Sequence, residues 1–356
     1  MVFEQELEHL TSPWMRIQPP PEGSELLAPS RLREAVGKAI PEKEVRSIWY
    51  HGTDRTAHVS LIDSDSLVYV NPYTAAVVAV VDHEDFFHFI TDGHIWLWLP
   101  PEVGIVVTTW STLVFFVLLV TGLVLWWPKK WNKVTRAASF KIKWRAKFKR
   151  LNYDLHNVLG FYSLIVAAVM AFTALMMGFA WVADGVYWVA SGGHPMPERE
   201  WGGVSDTTVN KEVAETIQVD RAWIKGRTEL ANYHPDEIIV SFPQTPSDAI
   251  YVCTDMVAGT WRDVFLDQHT LDVLPSSKQA IPDLKFADLL FRANYGLHVG
   301  ATGGMVTKII YFLASLVCAS LPITGFLVWW GKRRKKKKAR KAAGPTNHSS
   351  SLSQIS

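Results

Sequence analysis

Three long apolar stretches without a charged residue are the feature that most constrains how this 356-residue chain folds. They run from Gly104 to Trp127, from Val158 to Val182 and from Ile309 to Trp330. Each is long enough to cross the roughly 30 Å hydrocarbon core of a bilayer as a helix. Helices buried in soluble proteins rarely stay apolar on every side over such a length. The sequence therefore predicts an integral membrane protein with three spans.

Basic residues are concentrated directly after two of these stretches. Residues 128–150 contain ten Lys and Arg, residues 331–341 contain nine more, and neither segment contains an acid. The chain has 36 Lys and Arg against 34 Asp and Glu, so everything outside these two segments carries a net charge of −17. Loops that stay in the cytoplasm are enriched in Lys and Arg. This pattern indicates that the basic segments lie beside membrane lipid, and it does not suggest that they bind nucleic acid.

The positive-inside rule also gives the spans a direction. We expect the basic loop and the C-terminal tail in the cytoplasm, and the two remaining polar regions on the periplasmic side of a bacterial inner membrane. The predicted segments are an extracytoplasmic module (1–99), a membrane helix (100–127), a basic cytoplasmic loop (128–155), a membrane helix (156–183), an extracytoplasmic module (184–296), a membrane helix (297–330) and a basic cytoplasmic tail (331–356).

The two extracytoplasmic modules share a sequence pattern. In each, a helix-like run (30–40 or 219–231) is followed by strand-like runs with a period of two. The segments 70–77 and 266–273 align, each with Asn or Asp in its second position and Thr three residues later, which suits a tight turn. The predicted fold class is thus membrane α-helical, a bundle of three spans, with two small α+β modules.

Several function classes lack their sequence signals. Cys253 lies in a polar region and Cys318 in an apolar one, so we expect neither a disulfide framework nor a cysteine zinc site. No GxGxxG follows a predicted strand, which leaves no nicotinamide or flavin motif. Neither module contains a convincing nucleophile–base pair or phosphate loop, so binding or packing is the simpler role for both.

Three histidines stand beside the membrane spans. His94 precedes the first span, His156 begins the second and His298 precedes the third. The first and third spans end in TGLVLWW and TGFLVWW, and the spacing from His94 to Thr121 and from His298 to Thr324 is nearly equal. This spacing places His94 and His298 at similar depth near the outer face, and His156 lies at the cytoplasmic end.

Ionisable side chains close to the bilayer core are costly and usually functional, and imidazole is an axial ligand of haem iron. Small residues near these histidines would let a flat macrocycle approach the backbone: Gly160, Gly296, Gly300, Gly303 and Gly304. The alternatives stay open, since an interfacial histidine can bond water or headgroups and glycines can serve close helix packing. His88 is a weaker alternative as the outer ligand.

The motifs LHNVLGFYSL and LHVGATGG and the repeated TG-x-x-x-WW endings resemble the PepSY-associated transmembrane family of bacterial inner membranes. The two modules resemble its PepSY domains, and residues 121–164 are close to members from Bacteroidota-type bacteria. Some members are ferric-siderophore reductases that hold b-type haems between membrane helices, whereas others have no assigned activity. The resemblance implies haem b as cofactor, with His94, His156 and His298 as axial ligands of the iron.

The chain departs from the family pattern at its start. Members typically have four core helices, the first of which carries a histidine near its cytoplasmic end. The opening residues of this chain resemble the segment just after that helix, so we expect a first helix to be missing from this sequence. His94 and His298 would still form an outer pair, whereas His156 would lack its partner.

Two functions of different kinds follow. The first is a haem-dependent ferric-siderophore reductase for iron uptake, with a quinone or another protein as electron donor. The alternative is a non-enzymatic membrane module whose PepSY-like domains bind a peptide, a protease or an envelope partner. A transport accessory is disfavoured, because the spans lack the Asp, Glu, Lys or Arg that usually mark an ion path.

Overall fold

A computed structural model of the chain describes residues 2–342, except positions 19, 22, 83–84, 199–200, 210–212 and 257–258. Residues 343–356 of the predicted tail therefore lie outside the described residues. The helices are α1 (Glu4–Thr11), α2 (Pro29–Ala39), α3 (Phe86–Ile95), α4 (Pro101–Trp126), α5 (Lys133–Phe140), α6 (Phe148–Asp154), α7 (Gly160–Gly178), α8 (Ala180–Ala190), α9 (Glu215–Lys225), α10 (Phe286–Val299) and α11 (Gly304–Ala342). The strands are β1 (Val45–His51), β2 (Ala57–Leu61), β3 (Ser66–Val70), β4 (Val77–Asp82), β5 (Glu237–Ser241), β6 (Ile250–Thr254) and β7 (Arg262–Leu266).

The chain divides into two structural units. The first comprises Met1–Leu113 and Met170–Lys308, and the second comprises Val114–Val169 and Ile309–Ser356. The seven strands of the described residues lie in the first unit, where they form one antiparallel sheet in the order β4-β3-β2-β1-β5-β6-β7. The described part of the second unit consists of helices and their connections.

One face of the sheet is buried against α2 and α9. Alternation along the strands produces this face, because successive side chains of a strand point to opposite sides. In β2, for example, Ala57, Val59 and Leu61 are buried, whereas His58 and Ser60 are only half-buried. The two helices and the strands contribute to a single hydrophobic core, which includes Leu32, Val36, Ile48, Tyr50, Val59, Val68, Val219, Ala222, Trp223, Ile238, Val240, Ile250, Val252 and Val264.

The central strand pair, β1 with β5, joins the two segments that the sequence predicts as modules. Ser47 lies opposite Ser241 and Trp49 opposite Ile239 in an antiparallel register. The modules therefore share one sheet and one core, since separate modules would each leave a central strand with an unpaired edge. The antiparallel α+β region beside three long helices agrees with the predicted fold class in its coarse form.

The matching turns predicted from the sequence are confirmed by their hydrogen bonds. Asn71 Oδ1 accepts bonds from the backbone N–H groups two and three positions later, at 2.9 and 3.3 Å. Asp267 Oδ1 does the same at 2.8 and 2.9 Å. Ala75 and Leu271 then both adopt left-handed backbone, with φ of 57° and 62°. The first turn leads into β4, and the second leads to a single bridge residue, Val273.

Three helices in the described part of the chain are long and apolar enough to cross a membrane. They are Pro101–Trp126, Phe148–Gly178 and Gly304–Lys335, which confirms the three predicted spans while shifting their ends. The second begins before its apolar stretch, because α6 continues into α7 through a π-helical turn at Leu155–Leu159. It ends at Gly178, because Phe179 has an extended backbone.

The predicted span 297–330 is two helices in the structure. Gly300 adopts a left-handed conformation with φ of 74° and ends α10 after Val299, as glycine commonly does at the C-terminus of a helix. The backbone becomes helical again at Gly304, where α11 begins. His298 consequently lies in the last turn of α10, outside the spanning helix.

The second unit packs its helices through aromatic and small residues. Trp126 at the end of α4 stacks on Phe161 of α7, with ring centres 3.8 Å apart and planes at 9°. Gly160 brings α7 close to α11, because a Cβ there would lie 3.4 Å from Leu321 Cδ2. In α6, which leads into α7, the fully buried Asp154 carboxylate pairs with Arg150 at 2.8 Å.

Candidate functional site

The first unit brings two of the predicted histidines together. His94 lies in the last turn of α3, and His298 lies in the last turn of α10. Their ring centres are 6.2 Å apart and their planes are inclined at 45°. His94 is exposed and His298 is half-buried. The sequence reasoning, which relied only on equal spacing from two Thr-Gly pairs, anticipates this juxtaposition.

Two oxygens hold the ring of His298. Its Nδ1 lies 3.0 Å from Thr173 Oγ1 and 3.0 Å from the backbone carbonyl of Met170. A carbonyl oxygen only accepts hydrogen bonds, so Nδ1 must carry the proton. Nε2 then has a free lone pair, which is the form of imidazole that binds a metal. Asn294 Nδ2 donates to the Thr173 carbonyl at 3.2 Å and fixes α10 beside this segment of α7.

Burial favours the neutral form of His298. Removal from water lowers the pKa of His298 below its usual value, neighbouring His94 lowers it further, and the hydrogen bond to the Met170 carbonyl opposes both effects. A neutral imidazole at neutral pH needs no deprotonation before it binds a metal ion. The electrostatic state of this residue therefore suits a ligand.

His156 has a similar environment in the second unit. It lies in the π-helical turn between α6 and α7, and such turns are frequent at functional sites. Its Nδ1 is 2.9 Å from Thr324 Oγ1 on α11. A Cβ on the next residue, Gly325, would lie 3.1 Å from His156 Cε1, so glycine at that position makes room for the ring. Thr324 and Gly325, near the end of the third span, thus form the surface against which the His156 ring packs.

His156 has no second histidine near it among the described residues of its unit. The other histidine whose number falls in that unit, His348, lies outside the described part of the chain. The pairing seen between His94 and His298 is therefore not repeated at His156 by residues that the structure describes.

Several glycines singled out in the sequence have structural roles. Gly296 is buried against Gly259, where an added Cβ would approach the Gly296 backbone to 2.9 Å. Gly300 ends α10, and a Cβ on Gly303 would meet the side chain of Thr307 at 2.5 Å. Close packing and helix termination account for these three positions, so they offer no support for a macrocycle lying on the backbone there.

Other histidines of the chain have partners unrelated to the His94–His298 pair. His88, the weaker candidate for the outer ligand, lies 3.6 Å from the Asp92 carboxylate on its own helix. His51 and His58 hydrogen-bond each other at 2.9 Å on the second face of the sheet. In the described residues no group of three or more His, Cys, Asp or Glu side chains is placed to hold a bare metal ion.

The His94–His298 pair fits a metal that brings most of its own ligands. Two imidazoles on opposite sides of one metal atom have ring centres about 6 Å apart, because a metal–imidazole bond is about 2 Å long and the nitrogen lies about 1 Å from its ring centre. The observed 6.2 Å is close to this spacing, so the two residues could hold such a metal. Haem iron requires only axial ligands from the protein, since the macrocycle supplies the other four nitrogens.

Sequence reasoning missed the groups that hold these rings. Thr324 was visible as part of a repeated Thr-Gly pair, but nothing in the sequence linked it to His156. Thr173 had no signal at all, because it is one more hydroxyl in an apolar helix, where such groups usually bond their own backbone. A search for hydroxyl residues facing a histidine would need the packing of the helices first.

Three apolar helices of spanning length, an antiparallel sheet covered by two helices, and paired histidines at helix ends define a membrane protein with an α+β body. The family described as the PepSY-associated TM region matches residues 1–332. The chain belongs to this family. No curated protein matches the chain significantly.

Proposed function

We propose that this protein binds haem b in the bacterial inner membrane and passes electrons to an extracytoplasmic ferric chelate of the siderophore type. The observation that carries the proposal is the 6.2 Å separation of the His94 and His298 rings, with Nδ1 of His298 occupied by a carbonyl. His94 and His298 would be the two axial ligands of one haem iron, and His156 would supply one axial ligand to another. When bound, haem provides a one-electron redox centre.

The residues of the chain would hold and orient the group. Met170 and Thr173 keep Nδ1 of His298 occupied, so Nε2 would be the nitrogen that binds the metal. Thr324 does the same for His156. The electron donor would be a quinone or another protein, and the two α+β repeats would be PepSY domains on the periplasmic side, where the ferric acceptor arrives.

A reduced-minus-oxidised spectrum of the purified protein tests the proposal. We expect a b-type band when the full chain is expressed with a haem supply and purified in mild detergent. His94→Ala and His298→Ala should each lower the haem bound per protein by roughly 10-fold or more, because losing even an outer-shell partner of a metal ligand costs 10- to 100-fold. His156→Ala should remove any signal that persists in those variants.

His88→Ala is the matched control, because His88 lies on the same helix as His94 and pairs with a carboxylate. It should keep the haem content of the unaltered protein. Absence of a b-type band from the unaltered protein, despite added haem, would rule the proposal out. Equal loss in His88→Ala and His94→Ala would contradict the ligand assignment.

The open edge of the sheet supports the alternative function, a module that binds a peptide partner. β4 is an edge strand, and its outward Val78 and Val80 are 46% and 53% exposed. The opposite edge is covered, since the backbone N–H groups of Leu274 and Lys278 donate to β7 carbonyls at 2.8 Å. An extended peptide can add to an exposed edge as a further strand. This function predicts no bound haem, and peptide binding that Val80→Pro abolishes.

A further inference from the structure

We propose that the hydroxyl groups of Thr173 and Thr324 are positioning groups, each of which accepts a hydrogen bond from Nδ1 of one histidine and fixes the orientation of its ring, so that Nε2 is presented as the ligand atom. The proposal rests on the haem-binding function proposed above and goes beyond it, because it assigns roles to two residues that carry no metal-binding chemistry of their own.

The first step concerns the proton on His298. Nδ1 of this ring lies 3.0 Å from a carbonyl oxygen, that of Met170, and must therefore be the donor. Thr173 Oγ1 is 3.0 Å from the same carbonyl and directs its own proton there. Its lone pairs then face the His298 Nδ1–H, at 3.0 Å. The hydroxyl and the carbonyl thus form one acceptor pair that holds the ring from one side.

The second step is the same arrangement in the other unit. Thr324 Oγ1 donates to the carbonyl of Ser320 at 2.9 Å, one turn earlier on its own helix. A Thr324 hydroxyl that donates there has lone pairs left to accept a bond from Nδ1 of His156, which lies 2.9 Å away. Asn152 Nδ2 donates to the Thr324 carbonyl at 3.1 Å and holds the two helices together at this point.

The third step is the consequence for a bound metal. A ligand histidine usually donates its second N–H to an oxygen, which fixes the tautomer and makes the ligand nitrogen more basic. Without the Thr324 hydroxyl, Nδ1 of His156 would lose this hydrogen-bond acceptor. Without the Thr173 hydroxyl, Nδ1 of His298 would retain only the Met170 carbonyl. We therefore expect weaker haem binding and a higher midpoint potential when either hydroxyl is removed.

The chain contains matched controls for both positions. Thr121 precedes Gly122 as Thr324 precedes Gly325, but its hydroxyl bonds the carbonyls of Val117 and Leu118 on its own helix. Thr112 similarly bonds the Thr108 carbonyl at 2.8 Å. Replacing either by Val removes an intrahelical bond without touching a histidine, and thus reproduces the purely structural part of the change.

The experiment compares Thr173→Val with Thr112→Val, and Thr324→Val with Thr121→Val, in the full-length protein purified in detergent with haem. We expect haem to transfer to apomyoglobin about 10- to 100-fold faster from Thr324→Val, and faster by a smaller factor from Thr173→Val, because His298 keeps the Met170 carbonyl as an acceptor. We also expect a raised midpoint potential and an altered low-spin electron paramagnetic resonance signal. Thr173→Ser, which restores a hydroxyl, should return all three readouts towards those of the unaltered protein.

Two different results would overturn the inference, and only one of them would also overturn the proposed function. Bound haem in the unaltered protein, with Thr173→Val and Thr324→Val behaving like their controls, would refute the positioning role alone. Absence of haem from the unaltered protein would refute the proposed function and this inference with it. If a valine variant does not fold, Thr173→Ala or Thr324→Ala removes the hydroxyl without an added methyl group and is judged by the same two criteria.

Discussion

Asn71 and Asp267 occupy the same position in the two turns of the sheet, yet only one of them ionises. Burial acts to raise the pKa of Asp267, but backbone hydrogen bonds from Asp206, Thr270 and His269 outweigh it and hold the pKa below its ordinary value. The ionised carboxylate is therefore stabilised by folding. Asn71 accepts the two equivalent turn bonds through an amide oxygen, and the strength of these bonds does not change with pH.

Asp267→Asn should reduce the acid sensitivity of the sheet. A lowered pKa contributes stability above the unfolded pKa, and this contribution is lost as the pH falls through the folded pKa. With Asn the amide oxygen keeps the two turn bonds, but the amide nitrogen replaces Oδ2, which accepts the Asp206 N–H at 2.6 Å, so we expect about 1–3 kcal/mol of destabilisation at pH 7. Unfolding measured between pH 7 and pH 3 should show a smaller loss of stability in the variant. A loss as steep as that of the unaltered protein would contradict this.

At the residue scale, the sequence indicated the histidines but not what holds them. The sequence alone showed that three histidines lie beside the membrane spans. Thr173 and His298 are 125 positions apart, and His156 and Thr324 are 168 apart. Such hydrogen bonds depend on how helices pack, which hydrophobic periodicity does not determine. The hairpin turns were predictable, because Asn71 and Asp267 bond groups only two and three positions away.

At the element scale, one half-buried contact connects the two helices that cover the sheet. The Asp220 carboxylate of α9 accepts bonds from the backbone N–H of Ser30 at 2.9 Å and from its hydroxyl at 2.6 Å. Ser30 lies in the first turn of α2, whose N–H groups have no partner within the helix. A negative side chain there also interacts favourably with the helix dipole. Asp220 thus serves as a cap supplied by the other repeat.

Asp220→Ala should destabilise the protein by about 1.5–3 kcal/mol, because two bonds to a charged acceptor are lost and a helix N–H is left unpaired. Glu215→Ala is the control from the same helix. Glu215 pairs with Arg33 of α2 at 2.7 Å, but both side chains are substantially exposed, so its loss should cost about 0–1 kcal/mol. Denaturant titrations of the two full-length variants, followed by tryptophan fluorescence, make the comparison. Equal destabilisation would show that Asp220 is not a cap.

The helices and strands were largely predictable, whereas the union of the repeats was not. Uncharged runs identified the spans, and alternation identified the strands. Their ends shifted at Phe179 and Gly300, where a single backbone conformation terminates a helix. The pairing of β1 with β5 depends on contacts between distant segments of the chain. Each repeat seen separately has the alternation of a complete small sheet.

At the scale of the whole molecule, the distribution of charge predicts the orientation in the membrane. Residues 128–150 carry ten basic residues and no acid, which favours retention in the cytoplasm. The sheet, by contrast, belongs to the part of the chain with a net negative charge. Orientation can be tested at two exposed positions, Glu42 beside the sheet and Val134 in the basic loop.

Single cysteines introduced as Glu42→Cys and Val134→Cys, in a background with Cys253→Ala and Cys318→Ala, report the orientation. A membrane-impermeant maleimide should label the first in intact spheroplasts and the second only after permeabilisation. Labelling in the opposite order would reverse the assignment. The background without either substitution should remain unlabelled and serves as the control.

The strand order of the sheet also determines when its central strands can pair during synthesis. Ser30 and Asp220 are 190 positions apart, and β1 and β5 are separated by nearly as much chain, including two membrane helices. At about 5–20 residues per second, the first half waits roughly 10 to 40 s during synthesis before its central partner is made. Throughout that interval β1 is an unprotected edge, the kind of surface on which nascent chains aggregate. We therefore expect the first repeat to be most prone to aggregation in the interval before β5 is made.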